Sequence, residues 1–108
     1  MTPIDFNGLD TTVHGPIRLG VMTALQIDGP LSFTAIKKRL DAPDGGLGLH
    51  LKRLEEADYI SSKKAFVGRR PQTTYRLTPA GRKALANYLN MMRDLLDSIE
   101  EAKTKSGP

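Results

Sequence analysis

Between Pro16 and Asp28 the apolar residues Ile17, Val21, Ala24 and Leu25 recur at helical spacing. The run is punctuated as a helix should be. Pro16 suits the first helical position, where its missing N–H would be unpaired in any case, and Gly29-Pro30 closes the other end. Upstream, Met1 to Leu9 contains Pro3 and Gly8 and reads as a loose arm, while Asp10 suits the cap of a short turn through Val13. Downstream, Leu31-Ser32-Phe33 is long enough only for a stub of strand. Thr34 to Leu40 then predicts a two-turn helix with Ile36 and Leu40 inward and Lys37 and Lys38 outward, broken by Asp41-Ala42-Pro43. Asp44 is the expected N-cap of a third helix reaching about Ala57, with Leu47, Leu51 and Leu54 on one face and His50 at its border.

The pattern changes after that helix. Tyr59 to Phe66 and Thr73 to Thr78 are β-like runs, and in the second Tyr75 and Leu77 alternate with polar residues at period two. Val67-Gly68-Arg69-Arg70-Pro71-Gln72 reads as a turn-rich basic connector between them. Thr78 caps a last helix, Pro79 takes its first position, and helical spacing continues to about Ala102. The order is helix, short strand, helix, helix, hairpin, long helix, which is the plan of a winged helix-turn-helix. The expected fold is therefore mainly α with a small β-wing and a long C-terminal dimerisation helix. Its boundaries are an arm at 1–9, the winged helix-turn-helix at 10–78, the dimerisation helix at 79–102 and a polar tail at 103–108.

A length of 108 residues fits one domain, and 39% hydrophobic against 26% charged residues permits a modest packed core. The net charge of +4 is unevenly spread: residues 1–36 hold one Arg and three Asp, residues 37–76 ten Lys and Arg against five Asp and Glu, and residues 77–108 five against four. The excess thus falls in the middle third, as expected if that part meets a polyanion; a merely solvated basic face is the other reading. With no Cys, disulfides, thiolate metal sites and cysteine nucleophiles are excluded together. Met1 to Asp10 lacks a signal-peptide pattern and no apolar run would span a bilayer, so a soluble cytoplasmic protein without a membrane partner is expected.

On the third helix, the side opposite the leucines presents Gly45, Gly48, Leu49, Lys52, Arg53 and Glu56. The second helix of a helix-turn-helix enters the major groove, where Lys52 or Arg53 can reach phosphate or a guanine edge. Its N-terminus, at Asp44 and Gly45, favours a phosphate oxygen through free N–H groups. Lys37 and Lys38 are expected to steer the duplex. The glycines Gly45, Gly46 and Gly48 provide no side chain for base readout, so specificity is expected to be low or to lean on DNA shape. Leu49 fits a thymine methyl or a protein contact. In the hairpin, Lys63, Lys64, Arg69, Arg70 and Arg76 surround the connector and are expected to lie on the backbone or in the minor groove.

In the last helix, Leu85, Leu89, Met92, Leu96 and Ile99 are spaced 4, 3, 4, 3, a heptad seam that Tyr88, Met91 and Leu95 widen. Part of this surface is expected to pack on the first helix. The remainder, drawn from Leu85, Tyr88, Leu89, Met92, Leu95, Leu96 and Ile99, is expected to pair with a second copy. His14 and His50 have no second ligand at metal-binding spacing, and no P-loop, dinucleotide fingerprint or nucleophile elbow occurs. No metal, no cofactor and no catalysis are expected.

His14-Gly15-Pro16-Ile17-Arg18-Leu19, Leu31-Ser32-Phe33, Asp44-Gly45 with His50-Leu51, Leu54 to Ile60, and Thr73 to Arg82 together resemble the small winged-helix regulators related to MarR and ArsR. The resemblance covers roughly residues 10–100 and is most specific in the Thr-Tyr-x-Leu-Thr-x-x-Gly run that closes the wing. It implies a dimeric transcriptional regulator that holds double-stranded DNA with its third helix and wing. Many relatives carry Asn and Ser at Gly46 and Gly48, and Gly at Asp58; the cysteine metal sites of ArsR-type sensors are missing, so metal sensing does not carry over. A protein-interaction module docking through Leu49 and the glycine face is the alternative. A small apolar effector at the dimer seam, near Tyr88, Met91 and Met92, is a further expectation that rests on the family.

Overall fold

The computed structural model describes the backbone of residues 9–42 and 44–106, and side chains outside 1–8, 43–44 and 104–108. The arm at 1–8, the break at Pro43 and the capping side chain of Asp44 lie outside the described residues. Four helices and three strands follow in the order α1 (Pro16–Asp28), β1 (Leu31–Ser32), α2 (Phe33–Leu40), α3 (Asp44–Glu56), β2 (Ile60–Val67), β3 (Arg70–Leu77) and α4 (Pro79–Ser106). The strands form one antiparallel sheet in the order β1-β3-β2. Among the described residues no helix is long and apolar enough to cross a membrane.

The core gathers Val21, Met22 and Leu25 of α1, Ile36 of α2, the three α3 leucines, Ile60, Leu77, Leu85 and Tyr88 around Val13. Leu47, Leu51 and Leu54 are at most 1% exposed, so the inward face of α3 read from spacing is the observed one. The turn ahead of α1 is pinned by Asp10, whose Oδ1 accepts the backbone N–H of Thr12 at 2.8 Å. Helix α2 begins one residue earlier than Thr34, because Ser32 rather than Phe33 supplies the cap, its Oγ accepting from the Ala35 N–H at 3.1 Å.

Both α2 and α3 end on an aspartate in the left-handed region. After α3, the Tyr59 N–H donates to the Leu54 carbonyl at 3.0 Å and the Asp58 N–H to that of Glu55 at 2.9 Å, with Asp58 at φ 63°. After α2, Ala42 and Asp41 donate in the same way to Lys37 and Lys38, with Asp41 at φ 50°. These are Schellman closures, for which glycine is the usual residue and Asp one of the few tolerable substitutes.

The hairpin differs from its expected form. The connector shrinks from Val67–Gln72 to the two residues Gly68-Arg69, and Arg70, Pro71 and Gln72 belong to β3, paired with Val67, Phe66 and Ala65. Gly68 at φ 66° occupies the first central position of the turn, where a left-handed residue matches strand twist. With Val67 and Arg70 closing the turn, Phe66–Pro71 is a non-hydrogen-bonded pair, so the N–H that proline lacks is not needed.

A junction at Thr78 sets the long helix against the rest. Its Oγ1 donates to the Asp58 carbonyl at 2.6 Å and accepts the Gly81 N–H at 2.9 Å, while its own N–H donates to the Tyr59 carbonyl at 3.0 Å. Gly81 therefore lies so close to the α3–β2 turn that an added Cβ would stand 2.0 Å from the Tyr59 oxygen. The Thr-x-x-Gly signature is thus a docking device: a cap that grips a carbonyl and a residue with no side chain to obstruct it. From there α4 continues through Ser106, beyond the expected end near Ala102. Among its described side chains none after Tyr88 is buried, and the molecule measures 67 × 24 × 23 Å.

Candidate nucleic-acid interface

Once Leu47, Leu51 and Leu54 are buried, the remaining face of α3 is fixed by helical geometry. Gly45, Gly46, Gly48, Leu49, Lys52, Arg53 and Glu56 are all exposed, and nothing lies within 4 Å of a Cβ built on any of the three glycines. At these three positions the helix thus presents bare backbone. Leu49 is 53% exposed in its middle, and the two cations follow one turn later.

A groove of about 720 Å³ runs beside this face, lined by Thr11, Thr12, Arg18, Leu49, Lys52, Arg53, Glu56 and Ala57. Arg18 reaches it from α1. One guanidinium nitrogen of Arg18 donates to the Thr11 carbonyl at 3.2 Å, while its Nε is buried without a hydrogen-bond partner. The His50 Nδ1 is likewise buried and unpartnered. Burial, then the positive charges of Arg18 and Arg53, holds the His50 imidazole below its ordinary pKa. The α3 surface is therefore more cationic than Lys52 and Arg53 alone imply. Arg18 escaped the sequence reading because its position depends on how α1 packs against α3; its place one turn ahead of Met22 and two ahead of Leu25, a cation on the buried face of the helix, was the one available signal.

The hairpin stands directly after α3, and the Ser62 hydroxyl donates to Glu55 on α3 at 3.2 Å. Every residue from Ser61 to Gln72 is exposed. The register divides the cations: Lys63, Arg70 and Arg76 share the outer face of the ribbon with Val67, Lys64 shares the core-side face with Phe66, and Arg69 is in the turn. From Tyr59 to Arg93 the chain has eight Lys and Arg and no Asp or Glu. On α2, Lys38 is exposed and Lys37 half-buried. The side chain of Asp44 lies outside the described residues.

The residues expected at a dimer seam separate into two groups. Leu85 and Tyr88 are only 3% and 4% exposed because the domain's own core takes them, and Tyr88 OH is hydrogen-bonded to His14 Nδ1 at 2.8 Å. Leu89, Met92, Leu96 and Ile99 are instead 48%, 37%, 60% and 54% exposed along one stripe of α4, with Leu95 half-buried next to it. A second groove of about 310 Å³ lies where α4 meets the Asp10 turn, lined by Asp10, Tyr59, Ala80, Lys83, Ala84, Asn87, Tyr88 and Met91. Within it the Tyr59 hydroxyl donates to Asp10 Oδ2, and that bond, with burial and the carboxylate charge, pushes the phenol up to about 12.

A model of the winged helix DNA-binding domain family matches residues 17–96. Over 68 residues the chain is 37% identical to an uncharacterised protein of Methanocaldococcus jannaschii, spanning 63% of this chain and 74% of that one. Among solved structures it is similar to a transcriptional regulator homologue protein from Pyrococcus horikoshii OT3, with TM-score 0.75 and 27% identity over 82% of this chain and 87% of the other. It also shares the fold of Bordetella bronchiseptica BpsR, whose DNA binding is regulated by 6-hydroxynicotinic acid, with TM-score 0.69 and 17% identity over 86% of this chain and 70% of that one. With the match running from the first helix through the hairpin and well into the long helix, the chain belongs to the winged helix DNA-binding domain family.

Proposed function

We propose that two copies of this chain, joined along the exposed stripe of α4, bind one DNA duplex and regulate transcription without catalysing a reaction. The observation that carries this reading is the pairing of an open α3 face with a hairpin in a stretch of chain, from Tyr59 to Arg93, that contains eight Lys and Arg and no Asp or Glu. Each α3 enters a major groove with its glycine-lined front half, and Lys52, Arg53 and Arg18 take phosphates at its flank. Lys63, Arg69, Arg70 and Arg76 hold the adjoining backbone, with Lys37 and Lys38 steering the approach. A two-fold dimer would present the pair of helices to half-sites roughly 34 Å apart. Such a protein works in the cytoplasm, where the duplex is.

The test is the stoichiometry of the complex by sedimentation with a labelled duplex. The proposal expects two chains per bound duplex and a dimer of the free protein at micromolar concentration. A monomer that binds DNA one to one would contradict it. The exposed Leu49 keeps a second reading in play, a winged helix that docks a protein instead; a stoichiometric protein partner combined with no more DNA affinity than generic basic proteins would decide for it. Regulation by a small apolar effector is part of the proposal. The 310 Å³ groove brings Tyr88 and Met91 together near the α4 stripe, and a thermal shift confined to one ligand class tests it.

A further inference from the structure

The wing ends in an aromatic residue that the cationic reading does not explain. Phe66 is 76% exposed and the neighbouring Val67 61%; Val67 adjoins the Gly68-Arg69 turn and Phe66 stands one pair behind it. Phe66 lies on the same face of β2 as buried Ile60, but the alternation between them passes through Ser62 and Lys64. Six residues of strand carry it about 20 Å beyond Ile60. It is therefore not the frayed end of the core, and none of the described residues covers it.

Its surroundings select the partner. Phe66 stands opposite Pro71 in a non-hydrogen-bonded pair, the arrangement that brings cross-strand side chains closest, so the ring is braced by a rigid neighbour. Lys64 shares the face of this apolar pair, Arg69 is in the turn beyond it, Lys63 and Arg70 lie on the opposite face of the same ribbon end, and no acidic residue occurs in the hairpin. Four cations around the tip repel a second copy of the same tip and suit a polyanion. The ribbon's body is too broad for a minor groove roughly 6 Å wide, but a single ring one residue pair behind the turn is not.

We propose that Phe66 is an apolar wedge that enters the minor groove of duplex DNA and partly unstacks a deformable base step. Arg69 and Arg70 hold the phosphates on either side. The inference rests on the DNA-binding reading and deepens it: sequence preference comes from the ease of deforming a step, which suits a third helix with Gly45, Gly46 and Gly48 on the front half of its open face. Pyrimidine–purine steps such as TA open easily, whereas A-tracts are stiff, so the two separate wedge insertion from simple charge attraction.

The experiment uses the full chain and two labelled duplexes of equal length and A·T content, one of alternating TA sequence and one of A-tracts. Bending is read by end-to-end energy transfer and affinity by anisotropy. The wild-type protein is expected to favour and bend the TA duplex. Phe66→Ala is expected to lose about tenfold in affinity for it, as removal of one buried aromatic side chain implies. The same variant should lose the bend, keep the A-tract affinity and keep the salt slope. Phe66→Leu should retain part of both effects. Equal affinity of the wild type for the two duplexes, or a Phe66→Ala variant that bends TA DNA normally, overturns the wedge while leaving DNA binding intact. A change of oligomeric state in Phe66→Ala with unaltered DNA discrimination also overturns it, in favour of a second copy as the partner. Failure of the wild type to bind either duplex instead rejects the underlying reading.

Discussion

The same substitution at two helical glycines is expected to change stability in opposite directions. Gly48 is exposed in α3, and nothing lies within 4 Å of the Cβ that alanine would add. Alanine there gains helix propensity and restricts the unfolded chain, together about 0.5–1 kcal/mol. Gly81 is buried in the first turn of α4, and its added Cβ would meet the Tyr59 oxygen at 2.0 Å, the Tyr59 carbonyl carbon at 2.8 Å and Leu77 Cδ1 at 2.9 Å. The nearest obstacle is backbone, and it is held: the Tyr59 carbonyl accepts the Thr78 N–H at 3.0 Å. Relief requires the start of α4 to move away from the α3–β2 turn. Overpacking costs about 1–3 kcal/mol, and a backbone clash belongs at the upper end; propensity returns about 0.5–1, leaving a net loss of about 1–2 kcal/mol. At ~4–8 °C per kcal/mol for a domain of this size, Gly48→Ala should raise Tm by about 2–8 °C and Gly81→Ala lower it by about 4–16 °C. Thermal melts at one fixed protein concentration read both, since self-association of the kind proposed makes Tm depend on concentration. Shifts of the same sign, or a neutral Gly81→Ala, would refute the close approach on which the α4 junction rests.

Residues on α4 should divide by exposure. Leu96→Asp is expected to give a folded monomer by sedimentation, whereas Leu85→Ala should cost about 2–5 kcal/mol in urea unfolding as a core truncation; loss of the fold in the first or none of the stability in the second would contradict the division. His50 is held below 6.5 when folded, so the unfolded chain takes up its proton first and stability falls as pH drops below 6.5 towards the folded value. His50→Gln should lessen that acid-side slope relative to wild type, and identical slopes would count against the burial of the imidazole beside Arg18 and Arg53. At the alkaline end the phenol of Tyr59, pushed up to about 12, contributes stability present below pH 10 and lost as pH rises towards 12. Tyr59→Phe should remove that step, and a phenolate absorbance titration with an ordinary midpoint would disprove the Asp10 bond.

Much of this fold was legible because local patterns and tertiary packing agree. The α3 leucines, the Gly29-Pro30 stop and the Thr78-Pro79 start each need only their neighbours in sequence to be read. The hairpin turn was read too long because Arg70-Pro71-Gln72 has the composition of a loop, whereas pairing depends on which N–H groups the ladder requires, and at Pro71 it requires none. The division of the α4 seam was hidden for a different reason: Leu85 and Leu89 are equally apolar, and only the position of α1 and the Asp10 turn decides which of them is covered. Arg18 and the aspartates at the two Schellman closures illustrate the same limit. Their roles belong to the packed chain, in one case a groove shared between α1 and α3 and in the others a backbone conformation that the residue tolerates without encoding it.

The claim on which the functional account stands is that the hairpin and α3 form one surface for the phosphate backbone. The dependence of duplex affinity on salt, compared between the wild type and Arg69→Ala/Arg70→Ala, tests it most directly. Each phosphate contact contributes about 0.9 to the slope of log affinity against log salt, so the double variant, which removes four arginines from a complex of two chains, should bind more weakly to every sequence with a slope lower by up to about 3.6. An unchanged affinity together with an unchanged slope would show that the wing does not touch DNA.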